Sequence, residues 1–114
     1  MKLVTAIFKP SRLDAVIDAL SDAGATGMTV SEVRGYGRQR GKTEVYRGAE
    51  YEVRLLPKVK VEVACPSSEA DRLAEAIVQA ANTGTIGDGK IFIHDLDAII
   101  RIRTGERDEL AVSG

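Results

Sequence analysis

Lys58-Val59-Lys60-Val61-Glu62-Val63-Ala64-Cys65 is the stretch on which the fold turns. In an extended chain Val59, Val61, Val63 and Cys65 fall on one side, and Lys58, Lys60, Glu62 and Ala64 on the other. Such alternation predicts a strand with one face in a core and the other facing something polar. Pro66-Ser67-Ser68 breaks the pattern and opens a helix whose buried stripe holds Leu73 and Ile77. A glycine-rich connection follows, and Ile91 to about Asp95 reads as the next strand.

The same succession occurs upstream. Leu3 to Phe8 predicts a buried strand, and Pro10-Ser11 ends it, with Ser11 as the expected N-cap and Asp14 three residues on. Leu13, Val16, Ile17 and Leu20 recur at helical spacing, Gly24 is the natural stop, and a second strand runs from near Met28 to about Tyr36. Two β-α-β units in tandem predict a single ferredoxin-like α+β domain, βαββαβ, with an antiparallel sheet and both helices on one face. Leu3 to Phe8 is apolar on both parities, so both sheet faces are expected to be covered, the second by another copy of the chain. Ile99 to Arg103 reads as a last short extended piece, and Thr104 to Gly114 as a polar, loosely held tail.

Arg38 to Pro57 interrupts this scheme with about twenty mostly charged residues between strands two and three. Loop-closure scaling makes that length only ~1.4 kcal/mol costlier than a four-residue turn. A long loop in a small domain usually carries function or is disordered. Tyr46 and Tyr51 sit in it among Glu44, Arg47, Glu50 and Glu52, as recognition contacts, as a modification site, or packed within an extended hairpin.

At 114 residues the chain is one domain. It buries only about two-thirds of its unfolded surface, which leaves room for a ligand site between subunits. A net charge of −1 gives no global attraction to nucleic acid or anionic lipid. The one cysteine, Cys65, allows no internal disulfide and suits a reducing compartment. Met1 runs straight into a strand with no signal or spanning segment, so a cytoplasmic protein is expected.

Thr83-Gly84-Thr85-Ile86-Gly87-Asp88-Gly89-Lys90 is the candidate ligand loop. Glycines let backbone N–H groups approach an anion, successive N–H groups form a concave nest, and Lys90 adds a full charge. The string departs from a P-loop: Ile91 stands where Ser or Thr would hold magnesium, and the loop joins helix to strand rather than strand to helix. A ligand-free connection is the competing reading. Arg101 and Arg103 alternate with Ile100 and Ile102, so a strand would point both guanidinium forks to one face, suited to phosphate oxygens. Gly35 to Gly41 has neither the spacing nor the following helix of a dinucleotide fingerprint. Arg34-Gly35-Tyr36-Gly37 matches only the start of an RNA-binding RNP1 motif, with Arg38-Gln39-Arg40 where stacking aromatics belong. His94, the only histidine, leaves open a phosphotransfer enzyme on the same fold, although no catalytic triad or metal-ligand spacing accompanies it.

Tyr46-Arg47-Gly48-Ala49-Glu50-Tyr51, the loop Thr83 to Lys90 continued by Ile91-Phe92, and Arg101-Ile102-Arg103-Thr104-Gly105-Glu106 resemble three signatures of the PII nitrogen-regulatory signalling family, in the same order and over essentially the whole chain. The resemblance implies a non-catalytic homotrimer that binds ATP or ADP in clefts between subunits. It implies that Gly87, Asp88, Gly89 and Lys90, with Arg38, Arg101 and Arg103, hold the phosphates, and that Thr29, Glu62 and Ala64 line the adenosine pocket. By the same likeness Gln39 helps hold Mg²⁺ together with ATP and 2-oxoglutarate, Lys58 pairs with a 2-oxoglutarate carboxylate, and Gly87 also contributes to the 2-oxoglutarate site. Residues 38–57 correspond to the T-loop, which docks on ammonium transporters and nitrogen-metabolism enzymes or regulators; a transporter partner would draw the protein to the membrane. Tyr51 corresponds to the tyrosine modified by a nucleotidylyltransferase. Two positions depart from the pattern: Thr85 stands where the family usually has lysine, and Ser11 where an aromatic is common.

Overall fold

The computed structural model describes residues 1–36, 43–46, 49–52 and 55–113. Its elements are β1 (Lys2–Phe8), α1 (Leu13–Asp22), β2 (Thr29–Gly35), β3 (Thr43–Tyr46), β4 (Ala49–Glu52), β5 (Leu56–Cys65), α2 (Ala70–Ala81), β6 (Gly89–Asp95) and α3 (Glu109–Val112). The main sheet is wholly antiparallel in the order β2-β5-β1-β6, the ferredoxin-like arrangement. β3 and β4 pair with each other as a separate two-stranded ladder. Among the described residues no helix is long and apolar enough to cross a membrane.

The predicted alternation of β5 is realised. Val59, Val61, Val63 and Cys65 are buried, and they meet Val4, Ala6 and Phe8 of β1, Val16 and Leu20 of α1, and Leu73 and Ile77 of α2. Each fully buried valine or leucine there contributes roughly 1.5–3 kcal/mol of hydrophobic stabilisation. Burial pushes the Cys65 thiol pKa up, as expected for a packed rather than reactive cysteine. The register places Leu3, Thr5 and Ile7 of β1, Lys60 and Glu62 of β5, and Lys90 and Phe92 of β6 on the opposite face.

Ser11 does not cap α1. Pro10–Arg12 form a 3-10 turn that leads directly into the helix, and no side-chain cap bond is made there. Proline's fixed φ favours that tight first turn. Gly24 stops the helix as predicted: with φ of 93° it lets its own N–H reach Ser21 and the Ala25 N–H reach Leu20, a Schellman closure. Two arginines join the helices reciprocally. Arg12 donates to the Ala80 carbonyl near the end of α2 at 2.6 and 2.9 Å, and Arg72 donates to the Ala23 carbonyl after α1. Each places a cation on carbonyls that a helix end leaves unpaired.

The end of the chain corrects two expectations. Ile99 to Arg103 is not a strand: only Ile100 forms a bridge, to Arg107, and the chain turns between them. The Gly105 N–H bonds back to Arg101, and Arg101 N–H to Glu106. Ile102 is therefore fully exposed. Nor is the tail loose. Residues Glu109–Val112 form α3, Thr26 Oγ1 donates to the Val112 carbonyl at 2.5 Å, and the Arg101 guanidinium reaches the carbonyls of Ala111 and Ser113. Polar composition misled here because backbone carbonyls, rather than apolar side chains, hold the segment.

Candidate functional site

Ten of the candidate site residues within the described part of the chain fall into two cavities, one towards each end of β5. The first, of about 530 Å³, lies where β1 and the loop before β6 meet the start of β5, and includes Tyr36, Lys58, Gly87, Asp88, Gly89 and Lys90. The second, of about 520 Å³, includes Thr29, Glu62, Ala64, Arg101 and Arg103. Lys90 and Arg101, near in sequence, are thus not neighbours in space. The extended strand from Lys90 to Asp95 alone spans about 17 Å. Arg38 and Gln39 lie outside the described residues. Tyr51 stands in β4, opposite Glu44 in the ladder.

In the first cavity, position is set by the sheet register. Lys90 lies opposite Ile7, and Gly89 opposite Phe8. Gly89 has φ of 106°, and a Cβ there would lie 1.8 Å from the Ile7 carbonyl oxygen. Only glycine lets the loop pass that close to β1. Lys58 projects from β5 and donates to the Gly87 carbonyl at 2.7 Å. Its pKa is lowered, first by burial and then by the charge of Lys9, with Asp88 partly offsetting both. A carboxylate held by Lys58 needs its ammonium form, which the shift makes easier to lose. If this cavity takes a carboxylate on Lys58, its affinity should therefore fall with rising pH before an ordinary lysine would titrate. Lys58→Arg should remove that early fall, because arginine stays charged; binding isotherms across the alkaline range test this.

The nest is partly filled from within. Asp88 accepts the Thr83 N–H at 2.8 Å, the Gly84 N–H at 3.0 Å and the Thr83 hydroxyl. Those contacts, led by Thr83 and helped by Lys9, hold the Asp88 carboxyl well below the usual carboxylate range. Lys9 Nζ lies 3.1 Å from Asp88 Oδ1 and also donates to Thr83 and Thr85. Among the described residues, the N–H groups of Thr85, Ile86 and Gly87 donate to no side chain or carbonyl. Sequence reading missed Lys9. Its one local signal is its place between the buried end of β1 and Pro10.

In the second cavity Glu62 accepts a hydrogen bond from Thr5 at 3.3 Å and lies 3.9 Å from Lys60. Arg101 is paired with Glu106 at 3.1 Å and tied to the tail carbonyls, whereas Arg103 is exposed. Both arginines face one cavity, but from a turn rather than a strand edge. His94 is exposed on β6 opposite Leu3, and among the described residues its ring makes no side-chain hydrogen bond. Among the described residues there is no cluster of three or more His, Cys, Asp or Glu placed to hold a metal.

The family profile described as "Nitrogen regulatory protein P-II" matches residues 1–106. The chain is 58% identical over 112 residues to the nitrogen regulatory protein P-II of Pasteurella multocida strain Pm70, covering 98% of this chain and all of that one. It is 55% identical over 112 residues to nitrogen regulatory protein P-II 1 of Escherichia coli strain K12, with the same coverage. The corresponding P-II protein of Haemophilus influenzae strain Rd is 56% identical, again over 98% of this chain and all of that one.

Proposed function

Because the chain belongs to the P-II family of nitrogen regulatory proteins, we propose that it is a non-catalytic sensor of ATP or ADP and of 2-oxoglutarate, which it reports to partner proteins. The observation that carries this reading is the pair of cation-bearing cavities on one sheet face, one built on Lys58, Lys90 and the glycine loop, the other on Thr29, Glu62, Arg101 and Arg103. Each carries cations suited to phosphate or carboxylate oxygens. In a homotrimer one copy's Lys90 cavity would face its neighbour's Arg103 cavity, and the two would hold one nucleotide. The partly exposed apolar residues of that sheet face, among them Phe92 at 43% exposure, would be covered by the same assembly.

The residues present fit the ligands. Lys90 and the N–H groups of Thr85 to Gly87 would bind phosphate oxygens, with Arg38, Arg101 and Arg103 adding charge-assisted bonds. Lys58 would exchange the Gly87 carbonyl for a 2-oxoglutarate carboxylate. Mg²⁺, held through Gln39, would neutralise charge between the two anions when bound. Because Tyr36 and Leu56, at the two ends of the connection between β2 and β5, line the first cavity, occupancy there would bias the conformations of the segment that meets an ammonium transporter or a nitrogen-metabolism enzyme. Its leverage equals its difference in affinity between those conformations. A nucleotidyl group on Tyr51 would add charge and bulk to that docking surface.

Calorimetric titration with ATP tests the assignment. Arg103→Ala should weaken binding by about tenfold or more, the loss of one charge-assisted hydrogen bond. Tyr51→Phe should leave the affinity unchanged and abolish labelling by a nucleotidylyltransferase. Equal ATP affinity in Arg103→Ala and the parent would overturn the phosphate role of that residue.

A further inference from the structure

A phosphate cradle that contains a carboxylate poses a physical question. Asp88 sits between Gly87 and Gly89, where its charge would repel an incoming phosphate. We propose that the Asp88 carboxylate is the loop's internal counter-anion, leaving only the backbone of that residue to meet a ligand, and that Lys9 is the positioning residue that clasps it. The proposal rests on the nucleotide-sensor reading and assigns two residues within that site.

The contacts join three segments. One Asp88 oxygen takes the N–H groups of Thr83 and Gly84, which closes the loop across five residues. The other takes the Thr83 hydroxyl and the Lys9 ammonium. Lys9, from the end of β1, also donates to Thr83 Oγ1 at 3.3 Å and Thr85 Oγ1 at 2.5 Å. Every oxygen of the carboxylate is therefore committed, and its charge is balanced by Lys9. The net charge offered to a ligand is then set by Lys58 and Lys90. The closed loop also fixes the Gly87 carbonyl 2.7 Å from Lys58. Thr85 belongs to the clasp as an acceptor, and a lysine there would place a like charge beside Lys9.

The sign of one substitution separates this role from simple electrostatics. If Asp88 acts only as a repulsive charge, Asp88→Asn tightens ATP binding. If it holds the loop, Asp88→Asn weakens it, because an amide has one acceptor oxygen and puts an NH2 donor in place of the other. We expect Asp88→Asn and Lys9→Met each to weaken Mg-ATP binding by about tenfold, the double variant to be no worse than either single one, and Lys9→Arg to stay within about threefold of the parent. Tighter binding in Asp88→Asn, or losses that add in the double variant, overturns the proposal. Amide hydrogen exchange gives a readout that needs no nucleotide. The Thr83 and Gly84 amides should exchange at least about tenfold faster in Lys9→Met while the β1–β5 ladder stays protected. Unchanged protection overturns the clasp. A parent chain that binds no ATP would instead sink the sensor reading, and the exchange result would still decide the clasp.

Discussion

Gly89→Ala should leave little cooperatively folded protein. The added Cβ would lie 1.8 Å from the Ile7 oxygen, 2.8 Å from its carbonyl carbon and 2.9 Å from Phe8 Cα. All three are backbone atoms of the paired strand, so no side chain can swing aside. Relief requires breaking the Phe8–Gly89 and Ile7–Lys90 pairings, which position Lys90. The positive φ adds about 1–3 kcal/mol of strain, and overpacking against fixed backbone about as much or more. Together these consume much of the 5–15 kcal/mol that typically holds a domain. Gly84→Ala is the matched control: its φ is also positive, at 77°, but no atom lies within 4 Å of the new Cβ. In urea unfolding Gly84→Ala should lose about 1–2 kcal/mol, while Gly89→Ala should show no two-state transition or a loss of more than about 4 kcal/mol. Similar small losses in both would mean that the β1–β6 contact does not fix the loop.

What was legible in the sequence was what a strand or helix states about itself. Alternation in β5 gave its buried face, and helical spacing gave the stripes of α1 and α2. With the glycine stop and the β-α-β repeat, those faces leave few topologies besides the ferredoxin-like sheet. The site residues were legible as types: glycines for close approach, lysines and arginines for anions. Their arrangement was not. The Ile-Arg alternation at 99–103 looked like a strand because local pattern cannot register the turn that Gly105 and the Ile100–Arg107 bridge impose. Lys90 and Arg101 looked adjacent because they are close in sequence, yet an extended strand lies between them. Lys9 was invisible for the converse reason. It is 76 residues from Thr85, and only the β1–β6 register brings them together. Polar clusters assembled from the ends of distant strands leave no periodic trace.

The sensor account depends most on the two ligands helping each other. Lys58 and the Gly87 carbonyl share one hydrogen bond in the first cavity, beside the N–H groups of the glycine loop. A dicarboxylate at Lys58 and a triphosphate on that loop would repel unless Mg²⁺ and the surrounding cations bind both. If they do, each ligand completes the other's site, and the gain must be reciprocal. Calorimetric titration of Mg-ATP with and without saturating 2-oxoglutarate, and the converse titration, measures this directly. The account predicts that 2-oxoglutarate tightens ATP binding by about tenfold or more, and that ATP tightens 2-oxoglutarate by the same factor. Equal affinities in the presence and absence of the second ligand, or mutual weakening, would contradict it.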